Sequence, residues 1–206
     1  MTVYFTISLP RAGKSTLAGK YVRFEADISP ASNADNKFTD RPHSYRKLNN
    51  RDNPRVVINE DAIMLSLTGK RFTHKANPMV HAISHCMLRT YVNEGYDVLF
   101  DETFTTWKSI KELLWISDAV PVWIFKPLFQ RENIVDGPGF YEDFTLLNEN
   151  EWYEHLNLCI LRAINSKQED LIPVIKNRHA PQLLELARDW SKFEDLRQRI
   201  NKERQY

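Results

Sequence analysis

A chain of 206 residues with a formal net charge of +1 is long enough for one domain, or one domain with a lid, and it needs no disulfide or metal staple to bury a core. With 28 basic against 27 acidic residues there is no global electrostatic case for nucleic acid, and only a local basic patch stays open. The two distant cysteines, Cys86 and Cys159, read as reduced thiols; no apolar run approaches the ~18–20 residues of a membrane span, Met1 leads straight into a strand, and a cytoplasmic location is expected.

Val3–Ile7 is an apolar first strand, and a helix is expected over Lys14–Val22. The turn between them ends Gly13-Lys14-Ser15-Thr16. That is the chemistry of a nucleoside triphosphate site. Backbone N–H groups around Arg11, Ala12 and Gly13 wrap the phosphates, Lys14 reaches the β and γ oxygens, the Ser15 hydroxyl holds Mg²⁺, and Thr16 meets the α-phosphate. The helix N-terminus adds partial positive charge behind them. Arg11 points either at the nucleotide or out at an acceptor. Ser8 stands where the full pattern has its first glycine.

Phe24–Arg55 is polar and poor in aliphatics, an insertion that is either solvated or a substrate-binding flap; Arg41 and Arg46 are its candidate substrate contacts. Val56–Asn59 is a short buried strand, Glu60–Leu67 a helix stopped at Gly69, and Asn77–Asn93 a helix that Asn77-Pro78 starts and Gly95 ends. Val98–Asp101 is a third strand, Trp107–Ile116 a helix, and Val120–Phe125 a fourth strand. Gln130–Phe144 reads as a mobile segment, so a lid is expected at about 130–148. Glu149–Ser166 is a helix, Leu171–Ile175 a last strand, and Pro181–Arg204 one long amphipathic helix. Strands alternating with helices imply an α/β fold with a parallel sheet of about five strands covered on both faces.

Phosphoryl transfer also needs a base, a metal-side acid and cations for the developing charge. Asp61 follows the second strand, at the sheet's carboxyl edge where ligands bind, and can accept a hydroxyl proton; its plainer reading is an acid at a helix start. Asp101 ends the third strand and is the metal-side or substrate-orienting acid. Glu102 beside it leaves open an ATPase reading in which glutamate orients water. Arg131 follows the fourth strand and is either a surface residue or a lid arginine that neutralises the transferred group. His81 and His85 have zinc-ligand spacing, but the metalloprotease pattern and a third ligand are missing. Trp190 and Phe193 read as packing residues.

Taken together, Ser8–Thr16, Val57–Asp61, Gly95–Thr103 and Gln130–Asn133 resemble the P-loop kinases of the bacteriophage polynucleotide-kinase type, over roughly residues 3–135. The resemblance implies a three-layer P-loop NTPase fold with a lid, ATP (or GTP) and Mg²⁺ bound by Lys14, Ser15 and Thr16, Asp61 as general base, Arg131 as lid arginine, and Asp101 and Thr103 shaping the acceptor and metal site. The helix after Asp61 reads Ala62-Ile-Met-Leu65, without the arginine with which nucleic-acid 5′-kinases grip a substrate phosphate, and Phe104 stands where a small polar residue is common. The expected activity is transfer of a γ-phosphoryl group to a hydroxyl on a nucleic-acid end, a nucleotide or a small molecule. The alternatives are a hydrolase or switch using Glu102, and a nucleotide-binding protein without catalysis.

Overall fold

The computed structural model describes residues 1–22, 54–70, 73–124 and 149–204. The expected polar insertion (with Arg41 and Arg46), the expected lid at 130–148 and Arg131 lie outside these residues, apart from the insertion's expected end. Arg55 does not end a loop. It opens the second strand and is 7% exposed. It donates to the Tyr21 carbonyl at 3.4 Å, with its guanidinium 4.9 Å from the centre of the Tyr21 ring.

Four strands form one all-parallel sheet: β1 (Val3–Ile7), β2 (Arg55–Ile58), β3 (Asp97–Phe100) and β4 (Ala119–Trp123). Their order is β2-β3-β1-β4, with Val3 aligned to Val98 on one side and Ala119 on the other. β1 is central, and all five of its residues are buried, as expected of a parallel strand covered on both faces. Every parallel neighbour requires a crossover, and helices supply it: α1 (Lys14–Val22), α2 (Glu60–Thr68), α3 (Asn77–Asn93) and α4 (Trp107–Ile116). α1 packs on β2, and α3 on β2 and β3. The result is an α/β architecture compatible with three layers.

Two expectations about the second half are corrected. Leu171–Ile175 is not a fifth strand. After α5 (Glu149–Asn165) the chain continues as α6 (Leu171–Val174), a π-type turn over Ile175–His179, and α7 (Ala180–Arg188). Among the described residues the sheet therefore has four strands. The long C-terminal helix is also broken, by a 3-10 turn at Trp190–Lys192, before α8 (Phe193–Glu203). The break lets Trp190 stack on Phe193 (4.6 Å between centroids) and on Trp107 (5.7 Å), with Trp123 edge-on at 4.7 Å. These rings pack with one another and extend the main core.

Phe104 belongs to that core as well. It meets Phe5 at 5.2 Å and Phe100 at 5.6 Å, both edge to face. This packing accounts for the aromatic side chain at this position. Both cysteines are free, Cys86 exposed and Cys159 buried. Among the described residues no helix is long and apolar enough to cross a membrane.

α8 is tied to the end of α4 by Arg197, which donates to both carboxylate oxygens of Asp118 at 2.6 and 3.1 Å. These bonds hold the Asp118 carboxyl below its usual value. The carboxylate form is thus favoured by folding. The stabilisation is present above the unfolded aspartate value of about 3.9 and is lost as pH falls through the lower folded value. Because Asp118 is half exposed, replacing Arg197 with alanine should cost only about 0.5–1 kcal/mol at neutral pH. Urea titrations at a series of pH values check this: the difference from wild type should shrink in acid.

Candidate functional site

Strand order decides which side chains meet. β2, β3 and β1 lie side by side, so the residues that follow them share the carboxyl edge of the sheet. These are Asn59-Glu60-Asp61 after β2, Asp101-Glu102-Thr103 after β3, and the turn from Ser8 to Gly13 after β1. In open α/β sheets this edge is where ligands sit.

The β1–α1 turn is tight. Arg11 adopts φ +69° and Gly13 φ +113°. The Ala12 N–H donates to the Leu9 carbonyl at 3.2 Å, so Ala12 spends its backbone donor inside the turn. Thr16 and Leu17 both donate to the Gly13 carbonyl at 3.2 Å, which starts α1. The amides of Gly13, Lys14 and Ser15 have no backbone partner among the described residues, as the first turn of a helix dictates. Ser15 and Thr16 are exposed, and Ser8 is buried with its hydroxyl unpartnered.

Lys14 lies within electrostatic range of Asp101, Cys159, Asp61 and Glu102. Burial lowers its ammonium below the usual lysine value, against the opposing pull of these groups, Asp101 first. Asp101 is 3% exposed. Its backbone N–H donates to the Ile58 carbonyl at 2.8 Å, which pins it to β2. Its Oδ2 accepts from Asn59 Nδ2 at 2.8 Å, and its Oδ1 has no hydrogen-bond partner. Burial raises the Asp101 carboxyl; Lys14, the Asn59 hydrogen bond and the Ser15 hydroxyl pull it back, while Asp61 adds to the rise. A buried, half-satisfied carboxylate oxygen beside an exposed serine hydroxyl fits a hard divalent cation, which commonly takes one or two carboxylates and fills its shell with phosphate oxygens and water.

Asn59 does two jobs that sequence reading missed. Its Oδ1 caps α2 by accepting from the Ala62 N–H at 2.7 Å, while its Nδ2 holds Asp101. The first job was readable, because asparagine ahead of Glu60-Asp61 is an N-cap signal. The second depends on β2 and β3 being neighbours. Asp61 is exposed in the first turn of α2. Thr103 is half-buried in the connection to α4. The neighbouring Thr105 is buried and bonds Gln182 at 3.0 Å, with His179 Nδ1 at 3.3 Å. Burial, then Arg178 and Lys14, push His179 down to about 4, so at neutral pH it is uncharged.

Glu60 is a further member that sequence reading passed over as a helix-start acid. It accepts from the Ser84 hydroxyl, and its Oε1 lies 3.0 Å from His81 Nδ1. The other nitrogen of His81 faces Glu112 at 3.4 Å. His81 is thus held between two carboxylates, with the His85 ring 4.0 Å away. Among the described residues no group of three or more His, Cys, Asp or Glu side chains is placed to hold a metal ion.

Burial, the charge of Glu60 and a hydrogen bond with Glu60 push Glu102 well above the usual carboxylate range, with Asp61 adding to the rise and Lys14 opposing it. Glu102 therefore gives up its proton less readily than an ordinary carboxylic acid. For a group with a raised folded value, stability is present at low pH and falls as pH climbs through that value. Glutamine mimics the protonated acid. Replacing Glu102 with glutamine should leave thermal stability at neutral pH unchanged or higher and flatten the fall in stability with rising pH, as melts from pH 5 to 9 would read.

Cys159 is buried, and its thiol is pushed up to about 12 by that burial despite Arg162 and Lys14, so it stays protonated and unreactive. Of the residues singled out in the sequence, Lys14, Ser15, Asp61, Asp101 and Glu102 come together at one edge. Compared with protein-family models and with curated proteins, the chain gives no match.

Proposed function

We propose that this chain is an ATP-dependent kinase that transfers the γ-phosphoryl group to a hydroxyl. The observation that carries the reading is the convergence of Lys14, Ser15, Asp61 and Asp101 on the carboxyl edge of β1, β2 and β3. A nucleotide-binding turn alone would explain Lys14 and Ser15. It would not explain an exposed carboxylate within range of the same lysine.

In this reading the unpartnered amides at the start of α1 and the Lys14 ammonium receive the phosphates. Ser15 and Asp101 would hold Mg²⁺, which when bound neutralises charge on the phosphate oxygens. Asn59 keeps Asp101 turned towards that position. Asp61 accepts the proton of the acceptor hydroxyl as its oxygen bonds to the γ-phosphorus; the bond to the bridging oxygen breaks, and a nucleoside diphosphate leaves. Arg131, on its proposed lid, would offset charge on the group in flight. Thr103 borders the acceptor position, and Arg41 and Arg46 would contact an anionic acceptor. GTP remains an alternative donor.

The rival reading, a hydrolase in which Glu102 orients water, needs an ionised glutamate aimed at the γ-phosphate. Burial and the charge of Glu60, which both oppose ionisation of Glu102, disfavour it. The test is incubation of the protein with γ-labelled ATP and Mg²⁺ against 5′-hydroxyl oligonucleotides, nucleosides and small hydroxyl metabolites. Label on one acceptor class supports the kinase. ATP that binds but is neither transferred nor cleaved would leave a nucleotide-binding module.

A further inference from the structure

We infer that Arg162 and Gln168 form a clamp that holds the β1–α1 turn in its phosphate-receiving shape, an inference that rests on the nucleotide reading above. Arg162 lies in the last turn of α5. Its Nη1 donates to the carbonyls of Arg11 at 3.1 Å and Ala12 at 3.2 Å. The same nitrogen is 3.9 Å from where a Cβ on Gly13 would stand, so the guanidinium lies directly against the turn. Gln168, in the turn after α5, accepts a hydrogen bond from Arg11 Nη2.

These contacts converge on the one residue of the turn that needs help. Arg11 carries a Cβ yet holds φ +69°, a left-handed conformation that non-glycine residues rarely adopt outside caps and turns. Its carbonyl is fixed by Arg162 and its side chain by Gln168. Peptide planarity extends the effect by one unit. In a trans peptide the C=O and the next N–H point opposite ways. Drawing the Ala12 carbonyl onto Arg162 therefore turns the Gly13 N–H away from α5. That N–H heads the run Gly13, Lys14, Ser15, whose amides have no backbone partner among the described residues. Arg162 thus sets the direction of the first donor in the run and acts as a positioning residue. A glycine-rich turn can hold such a shape by itself; this chain puts Leu9, Pro10, Arg11 and Ala12 there instead.

The test is calorimetric titration of MgATP into wild type, Arg162→Ala, Arg162→Lys and Gln168→Ala, with circular dichroism and melting curves as fold controls. Loss of two hydrogen bonds from a charged donor should weaken MgATP binding roughly ten- to a hundredfold in Arg162→Ala. Arg162→Lys, which keeps a cationic donor, should recover part of it, and Gln168→Ala should show a smaller loss in the same direction. One further readout separates a clamp from a general structural role. In an Arg11→Gly background, where positive φ carries no penalty, Arg162→Ala should weaken binding less than in wild type. Equal MgATP affinity for wild type, Arg162→Ala and Gln168→Ala would overturn the clamp, as would strictly additive losses in the double variant. If Arg162→Ala does not fold, the Lys and Gln168 variants decide it. A wild-type protein that binds no MgATP would instead overturn the nucleotide reading, and the clamp with it.

Discussion

Replacing Asp61 with asparagine is expected to lower phosphoryl transfer about 10²- to 10⁴-fold while MgATP affinity stays within about twofold of wild type. Asparagine keeps the shape of aspartate but cannot take the hydroxyl proton. The site makes this separation clean. Asp61 is exposed in the first turn of α2, and the cap of that helix is made by Asn59, not by Asp61. Losing one first-turn acid costs a helix only about 0.3–1 kcal/mol, so the variant should fold. Single-turnover assays with the acceptor identified by the labelling panel, beside calorimetry of MgATP binding, give both numbers. A silent substitution would return Asp61 to its plainer role at a helix start.

Replacing Lys14 with alanine should do the reverse, removing nucleotide binding first. A charged hydrogen bond to phosphate contributes roughly 1.5–3 kcal/mol, so affinity should fall about ten- to a hundredfold or more. A second consequence follows from what Lys14 faces. Asp101 is buried, and one of its oxygens has no hydrogen-bond partner. Lys14 is the cation that holds the carboxyl down against its own burial. Without Lys14 the carboxylate keeps the Asn59 hydrogen bond and the Ser15 hydroxyl but loses the opposing positive charge, which costs folding stability while Asp101 is ionised. Protonation removes that cost. The stability difference between Lys14→Ala and wild type should therefore be largest at neutral pH and shrink as the buffer is made acidic. Melting curves at a series of pH values test this without any nucleotide present.

The elements that carry the site were largely legible because their signals are local. β1, β2 and β3 are short, largely apolar runs followed by polar residues, and α3 and α4 run from Asn77 to Asn93 and from Trp107 to Ile116, the bounds their periodicity predicts. The cap of α3 moved from Asn77 to Ala76, and β2 and β3 each begin and end one residue earlier than expected. Leu171–Ile175 misled because a five-residue apolar run fits a buried strand and a helix segment equally well. Pro173 lies within the four-residue α6, which a proline tolerates near a helix start and which adds no rung to a sheet. Trp190 was recognised as a packing residue, but its demand for three aromatic neighbours breaks the helix in a way that no periodicity reveals.

The supporting residues of the site were harder to see, for a different reason. Asn59 reaches Asp101 across 42 positions, and Arg162 reaches Arg11 across 151. Such pairs are set by strand order and by the return of α5, and no motif spacing records them. Glu60 was seen but read only as a helix-start acid, since Ser84 and His81, which hold it, lie a whole helix away.

The most direct measurement is the fate of the γ-phosphate label in wild type, Glu102→Gln and Asp61→Asn, assayed with and without a hydroxyl acceptor. Wild type is expected to put the label on the acceptor, Glu102→Gln to continue to do so, and Asp61→Asn to fail. Label recovered as inorganic phosphate regardless of acceptor, abolished by Glu102→Gln and untouched by Asp61→Asn, would contradict the kinase reading.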